Sequence, residues 1–142
     1  MKLVDLNLLL YAYHRAAKEH EPASSWLEAV FAGHESVGLS WVTVLGFLRI
    51  ATAPKILAMP YDLEEAKEIV AGWLSRGNVL IVSPTERHWE ILGDFLPKHR
   101  IRGSLIIDAH LAALAIEHGA TLCTNDRDFL RFPGLKVEFP LQ

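Results

Sequence analysis

Residues 103–129 read GSLIIDAHLAALAIEHGATLCTNDRDF. The stretch predicts a helix followed by a short strand that ends in acids. Ser104 has the side chain of an N-cap, and Gly119 suits the left-handed residue that closes a helix. Between them nearly every side chain is apolar or alanine, the pattern of a helix buried on most sides. Asp108 breaks that pattern near the helix start, where the macrodipole favours negative charge. A carboxylate in so apolar a helix needs a partner. Thr121 to Thr124 has the length and content of a buried strand, and Asn125-Asp126-Arg127-Asp128 follows it directly. One acid at a helix start and two beyond a strand end are placed to meet, although Asp126 and Asp128 suit a plain turn equally well.

The rest of the chain repeats the alternation of strand and helix. Lys2-Leu3-Val4 is a short strand that runs into Asp5-Leu6-Asn7 and then a helix through Tyr13. Asp5 is read as a helix cap that can keep an oxygen free for a metal. A helix is predicted over 22–33, a strand over 36–39 and a helix capped by Ser40 over 41–52, with Gly46 in its middle. Glycine there costs about 1 kcal/mol against alanine, so another requirement explains it. Further helices are predicted over 60–74, with Leu63 on the apolar side, and from Thr85 through Leu96, with Trp89 facing the core. Strands are predicted over 79–82 and 135–139.

Five short apolar strands alternating with helices predict an α/β fold, an α/β/α sandwich around a central parallel sheet of about five strands. At 142 residues the chain is expected to form a single domain over 1–142. In such a sheet all strand C-terminal ends share one edge, where ligands bind. Asp5 and Asp126 follow strand ends and Asp108 opens a helix, so all three can converge there.

Composition narrows the partners. With 51% hydrophobic residues and no apolar run near the ~20 residues of a membrane span, the chain reads as globular and not membrane-bound. Its one cysteine, Cys123, excludes an internal disulfide and, with no secretory leader, fits a cytoplasmic protein. A net charge of −3 argues against binding nucleic acid by overall charge, but not against a local basic patch. His14, His20, His34, His88, His99, His110 and His118 are scattered without a His-Glu-x-x-His pair, and read better as surface residues than as zinc ligands.

Carboxylates packed together repel unless a cation joins them, and an oxygen-only donor set selects a hard ion, Mg²⁺ or in its place Mn²⁺. Phosphodiester hydrolysis is the natural chemistry of such a site. Asn7 is placed to orient a water or to make a turn. Lys98, Arg100 and Arg102, with Arg127 and Arg131 nearer the acids, are candidates to hold phosphates, although Lys98 to Arg102 also fit a solvated loop, and Arg127 and Arg131 also suit neutralising Asp126 and Asp128.

Four motifs in order, LVDLN at 3–7, LSWVTVLGFLR at 39–49, IIDAHLAALA at 106–115 and TNDRDF at 124–129 with FPGL after it, resemble the PIN domain family. Within it the chain is most similar to the VapC-type toxins of toxin–antitoxin pairs, over essentially its whole length. The resemblance implies a Mg²⁺-dependent endoribonuclease, inhibited by a cognate small antitoxin protein. It maps the catalytic and metal-binding positions onto Asp5, Asp108 and Asp126, with Asp128 as an auxiliary ligand. Many members carry a glutamate where this chain has Gly46, so the resemblance also allows a weak or inactive RNA- or antitoxin-binding relative. The acids alone also fit a phosphoryl-transfer domain, whose late lysine here is Lys136. Helix surface around Trp26, Trp41 and Trp73 is expected to form a homodimer.

Overall fold

The strands are three residues each: β1 Lys2–Val4, β2 Val37–Leu39, β3 Val79–Ile81, β4 Thr121–Cys123 and β5 Lys136–Glu138. They pair in parallel in the order β3-β2-β1-β4-β5 in this computed structural model, which describes residues 1–57, 59–98 and 100–142. His99 of the basic run lies outside the described residues. Leu3 stands opposite both Gly38 and Leu122, which fixes the register at the centre of the sheet.

Alternation along the strands divides the core in two. Val4, Val37, Leu39 and Cys123 face one layer, built from α1 Leu6–Tyr13, α2 His20–Ala32, α3 Trp41–Ala51 and α4 Leu63–Leu74. Leu3 and Leu122 face the other layer, built from α5 His88–Phe95 and α6 Leu105–Glu117, with Phe129 and Phe132 beside them. The α/β/α sandwich expected from the sequence is therefore the fold. The chain steps outward from β1 through β2 to β3, then crosses to β4 and β5 on the other side of β1. That reversal leaves the C-terminal ends of β1 and β4 side by side, the place where sheets of this kind open a crevice.

Ser40 caps α3 as expected, accepting from the Val42 amide at 3.1 Å, and Gly119 closes α6 with φ of +63°. Ser104 does not cap α6. Its own backbone is already helical, so its hydroxyl cannot reach back to the first-turn amides, and Gly103 at φ +61° brings the chain in. The helix over 60–74 begins later, behind an Asp62–Glu65 capping box that leaves Leu63 67% exposed. Trp89 is likewise exposed, not core: α5 turns Ile91, Leu92 and Phe95 inward. Of the three tryptophans expected to form an apolar surface, Trp73 is instead 3% exposed and donates to the Tyr13 hydroxyl at 3.0 Å. Trp26 is partly buried against the same core, which leaves Trp41 on the surface.

Candidate active site

Asp5 leaves β1 as the N-cap of α1 and is 7% exposed. Its Oδ1 accepts from the Leu6 amide at 2.7 Å; its Oδ2 accepts from Asn7 Nδ2 at 3.0 Å and Thr124 Oγ1 at 2.7 Å. A carboxylate offers two lone pairs on each oxygen, so one on Oδ1 stays uncommitted. Burial pushes the carboxyl above its ordinary value, opposed by the Thr124 and Leu6 hydrogen bonds and reinforced by the charge of Asp126.

Thr124, next after β4 and fully buried, ties the two strand ends together. Its hydroxyl donates to Asp5 and accepts from Asn7 Nδ2 at 3.1 Å and from the Asp126 amide at 3.0 Å. One donor and two lone pairs are all in use. Asn7 completes the link, since its Oδ1 accepts from the Asn125 amide at 3.1 Å and so turns its amino group toward Asp5. Sequence reasoning singled out Asn7 and missed Thr124. The available signal was the T-x-D-x-D spacing, in which Thr124 holds the amide two residues on and Asp126 does the same.

Asp126 Oδ1 accepts from the Asp128 amide at 2.9 Å and starts a 3-10 turn over Arg127–Arg131. Asp126 is therefore a turn residue and a member of the cluster at once. Asp128 is exposed, 3.6 Å from Arg131. Asp108, in the first turn of α6, is half-buried and accepts no hydrogen bond among the described residues. Its carboxyl is pushed up to about 6, first by burial and then by Asp5, Asp126 and Asp128, while Arg131 pulls it down. The four acids thus share one field. Among the described residues no three His, Cys, Asp or Glu side chains close around a common point at ligating distance.

Gly46 is where α3 meets α1. A Cβ there would stand 2.7 Å from Leu6 Cδ2, so the glycine lets α3 lie close against the residue that follows Asp5. Of the basic candidates, Arg131 stands beside the acids, and the others have different neighbours. Lys98 pairs with Asp94 at 2.7 Å, and Arg100 and Arg102 are exposed on the segment leading into α6. Arg127 donates to Gln142 Oε1 at 2.5 Å and stacks on Phe139 at 5.0 Å. Lys136 is exposed at the N-terminal end of β5, opposite Thr121, on the edge of the sheet away from the acids. It cannot serve a phosphoryl-transfer centre there.

The PIN domain model matches residues 2–135. Ribonuclease VapC37 of Mycobacterium tuberculosis is 41% identical, over 99% of this chain and 97% of its own. Ribonuclease VapC33 of the same organism is 38% identical over 100% of this chain and 99% of its own. Among solved structures, a toxin–antitoxin complex from Klebsiella pneumoniae superposes with a TM-score of 0.64 at 23% identity, covering 99% of this chain and 98% of that one, and so shares the fold. With family model, relatives and fold in agreement over nearly the whole length, the chain belongs to the PIN domain family, among the VapC ribonucleases.

Proposed function

We propose that this chain is a metal-dependent endoribonuclease that hydrolyses RNA phosphodiester bonds and acts as the toxin of a type II toxin–antitoxin pair. One observation carries the reading: Asp5 and Asp126 are tied through the Thr124 hydroxyl at the adjacent ends of β1 and β4, and Asp108 in the first turn of α6 feels the charge of both. The relatives are named ribonucleases, which supports that activity, and the Klebsiella neighbour is a toxin–antitoxin complex, which supports an antitoxin partner.

The donor set fits a hard divalent ion, Mg²⁺ with Mn²⁺ as substitute. It consists of carboxylate oxygens only, with an open lone pair on Asp5 and, among the described residues, no donor on Asp108. Asp5, Asp108 and Asp126 would hold the ion, with Asp128 auxiliary. The chemistry expected of such an ion is to acidify an attacking water and to neutralise charge on the phosphate.

The protein's own part is positioning. Thr124 and Asn7 fix the Asp5 carboxylate and the Asp126 backbone in one frame, so neither must reorganise on binding. Asp108 keeps its proton below about pH 6 until a cation offsets its neighbours. Arg100, Arg102 and Lys98 are free of the core and suited to phosphate contact, Lys98 by exchanging Asp94 for RNA. Arg127 must first leave Phe139 and Gln142 to join them. The cytoplasm is the expected place of such a toxin; separately, no helix among the described residues is long and apolar enough to cross a membrane. A homodimer through α3 is supported by Trp41 and Leu45, 53% and 61% exposed and one turn apart.

Purified chain incubated with structured RNA tests the reading. Cleavage is expected in Mg²⁺, lost in EDTA and absent from Asp108→Asn. EDTA-resistant cleavage, or an Asp108→Asn variant as fast as wild type, would overturn it.

A further inference from the structure

Between α5 and α6 runs a chain of ionisable groups that the nuclease reading does not use. His88 Nε2 and His110 Nδ1 face each other at 2.9 Å. The other nitrogen of His88, Nδ1, is 2.7 Å from Glu117 Oε2. Glu117's side chain is fully buried, and its Oε1 is held by the Thr85 amide at 2.6 Å.

We propose that His88 and His110 form a second, independent metal site, for a late first-row ion such as Zn²⁺, with Glu117 as the outer group that orients His88. The residues carry this in three ways. A carboxylate on the far nitrogen is the arrangement that turns an imidazole's remaining lone pair outward as a ligand. Glu117 accepts from Nδ1–H, so the neutral ring presents a bare Nε2 toward His110. The gap also has nearly the right size. Two Zn–N bonds of about 2.0–2.1 Å at a tetrahedral angle span about 3.4 Å, so the rings need part by only roughly half an ångström.

With Nε2 of His88 bare, the proton between the rings belongs to His110 Nδ1; the ion takes its place as that proton moves to His110 Nε2, so both rings ligate as neutral imidazoles. His88 is 12% exposed at its side chain and His110 is partly exposed, so water can fill the remaining positions. Imidazole donors favour Zn²⁺ where the carboxylates favour Mg²⁺, and the two sites would sort ions accordingly. A bound ion would staple α5 to α6, the helix whose first turn carries Asp108. The two histidines are far apart in sequence, which is why spacing alone gave no sign of them.

Zn²⁺ alone is the probe. Calorimetry on Asp108→Asn, which weakens competition from the acids, should show one Zn²⁺ bound and a raised thermal midpoint. Adding His110→Ala should abolish that binding, and adding Glu117→Gln should weaken it about 10–100-fold. In the Asp108→Asn protein, ring signals of His88 and His110 should respond to Zn²⁺ before those of any other histidine, an arm that holds even if the double variants fail to fold. No binding at stoichiometric excess, binding unchanged without His110, or first response at another histidine would each overturn the site.

Discussion

Thr124→Val should cost more than any other single-atom exchange at the β1/β4 crevice. Valine keeps the shape and removes the hydroxyl that serves Asp5, Asn7 and Asp126. The bond to the Asp5 carboxylate is charge-assisted and is worth about 1.5–3 kcal/mol. The Asp126 amide loses its acceptor as well, at about 1 kcal/mol because Asp126 is partly exposed and water can replace it. The sum is about 3 kcal/mol, or roughly 10 °C in thermal midpoint for a chain of this length. Thr124→Ser keeps the hydroxyl and loses a buried methyl, at about 1 kcal/mol. Without the hydroxyl the Asp5 carboxyl should rise further, since that hydrogen bond now pulls it down. Urea and thermal denaturation of both variants give the comparison. Valine and serine variants of equal stability would refute the hub.

The remaining predictions are brief. Asp108→Asn should be more stable than wild type at pH 7.5. The folded carboxyl, at about 6, lies above its ordinary 3.8, so the folded state holds the proton more tightly and the charge destabilises it at higher pH. The full shift corresponds to at most about 3 kcal/mol, and solvent screening at this half-exposed group reduces it to about 1. The advantage should shrink as pH falls from 6 to 3.8 and vanish below, and a constant advantage across that range in urea melts would contradict the assignment. Gly46→Ala should change the stability of the wild-type protein by less than about 1 kcal/mol, because the Leu6 side-chain tip must shift and that cost offsets the gain in helix propensity. In a Leu6→Ala background the same change should stabilise, and a double-mutant cycle without coupling would remove the proposed α1–α3 contact. Thr43→Val should stabilise by about 1 kcal/mol, because the buried Thr43 hydroxyl has no partner among the described residues. A lower thermal midpoint would show that the hydroxyl is satisfied.

What sequence could show here followed from periodicity and from local chemistry. Strand runs such as Leu3-Val4 and Leu122-Cys123, and the cap at Ser40, act over a few residues and read directly. Asp5, Asp108 and Asp126 stood out because acids beside apolar runs are costly. Thr124 did not, because its meaning lies in a bond to Asp5 across 119 positions, and a threonine ending a strand looks ordinary. Trp73 misled for the same reason: its indole N–H is satisfied by Tyr13, 60 positions away, so it can be buried. Trp89 has helical spacing with the core residues of α5, but the buried face is centred on Phe95 and leaves it outside. Gly46 was legible as a requirement without its cause, since Leu6 belongs to another helix.

The central claim is that Asp5, Asp108 and Asp126 act as one site. RNA cleavage in Mg²⁺ by Asp108→Asn, Asp126→Asn and the double variant tests it most directly. Groups acting as a unit are not additive, so each single variant should fall to the background rate and the double variant should lose nothing more. Single variants that retain measurable cleavage, with losses that multiply in the double, would contradict a common site.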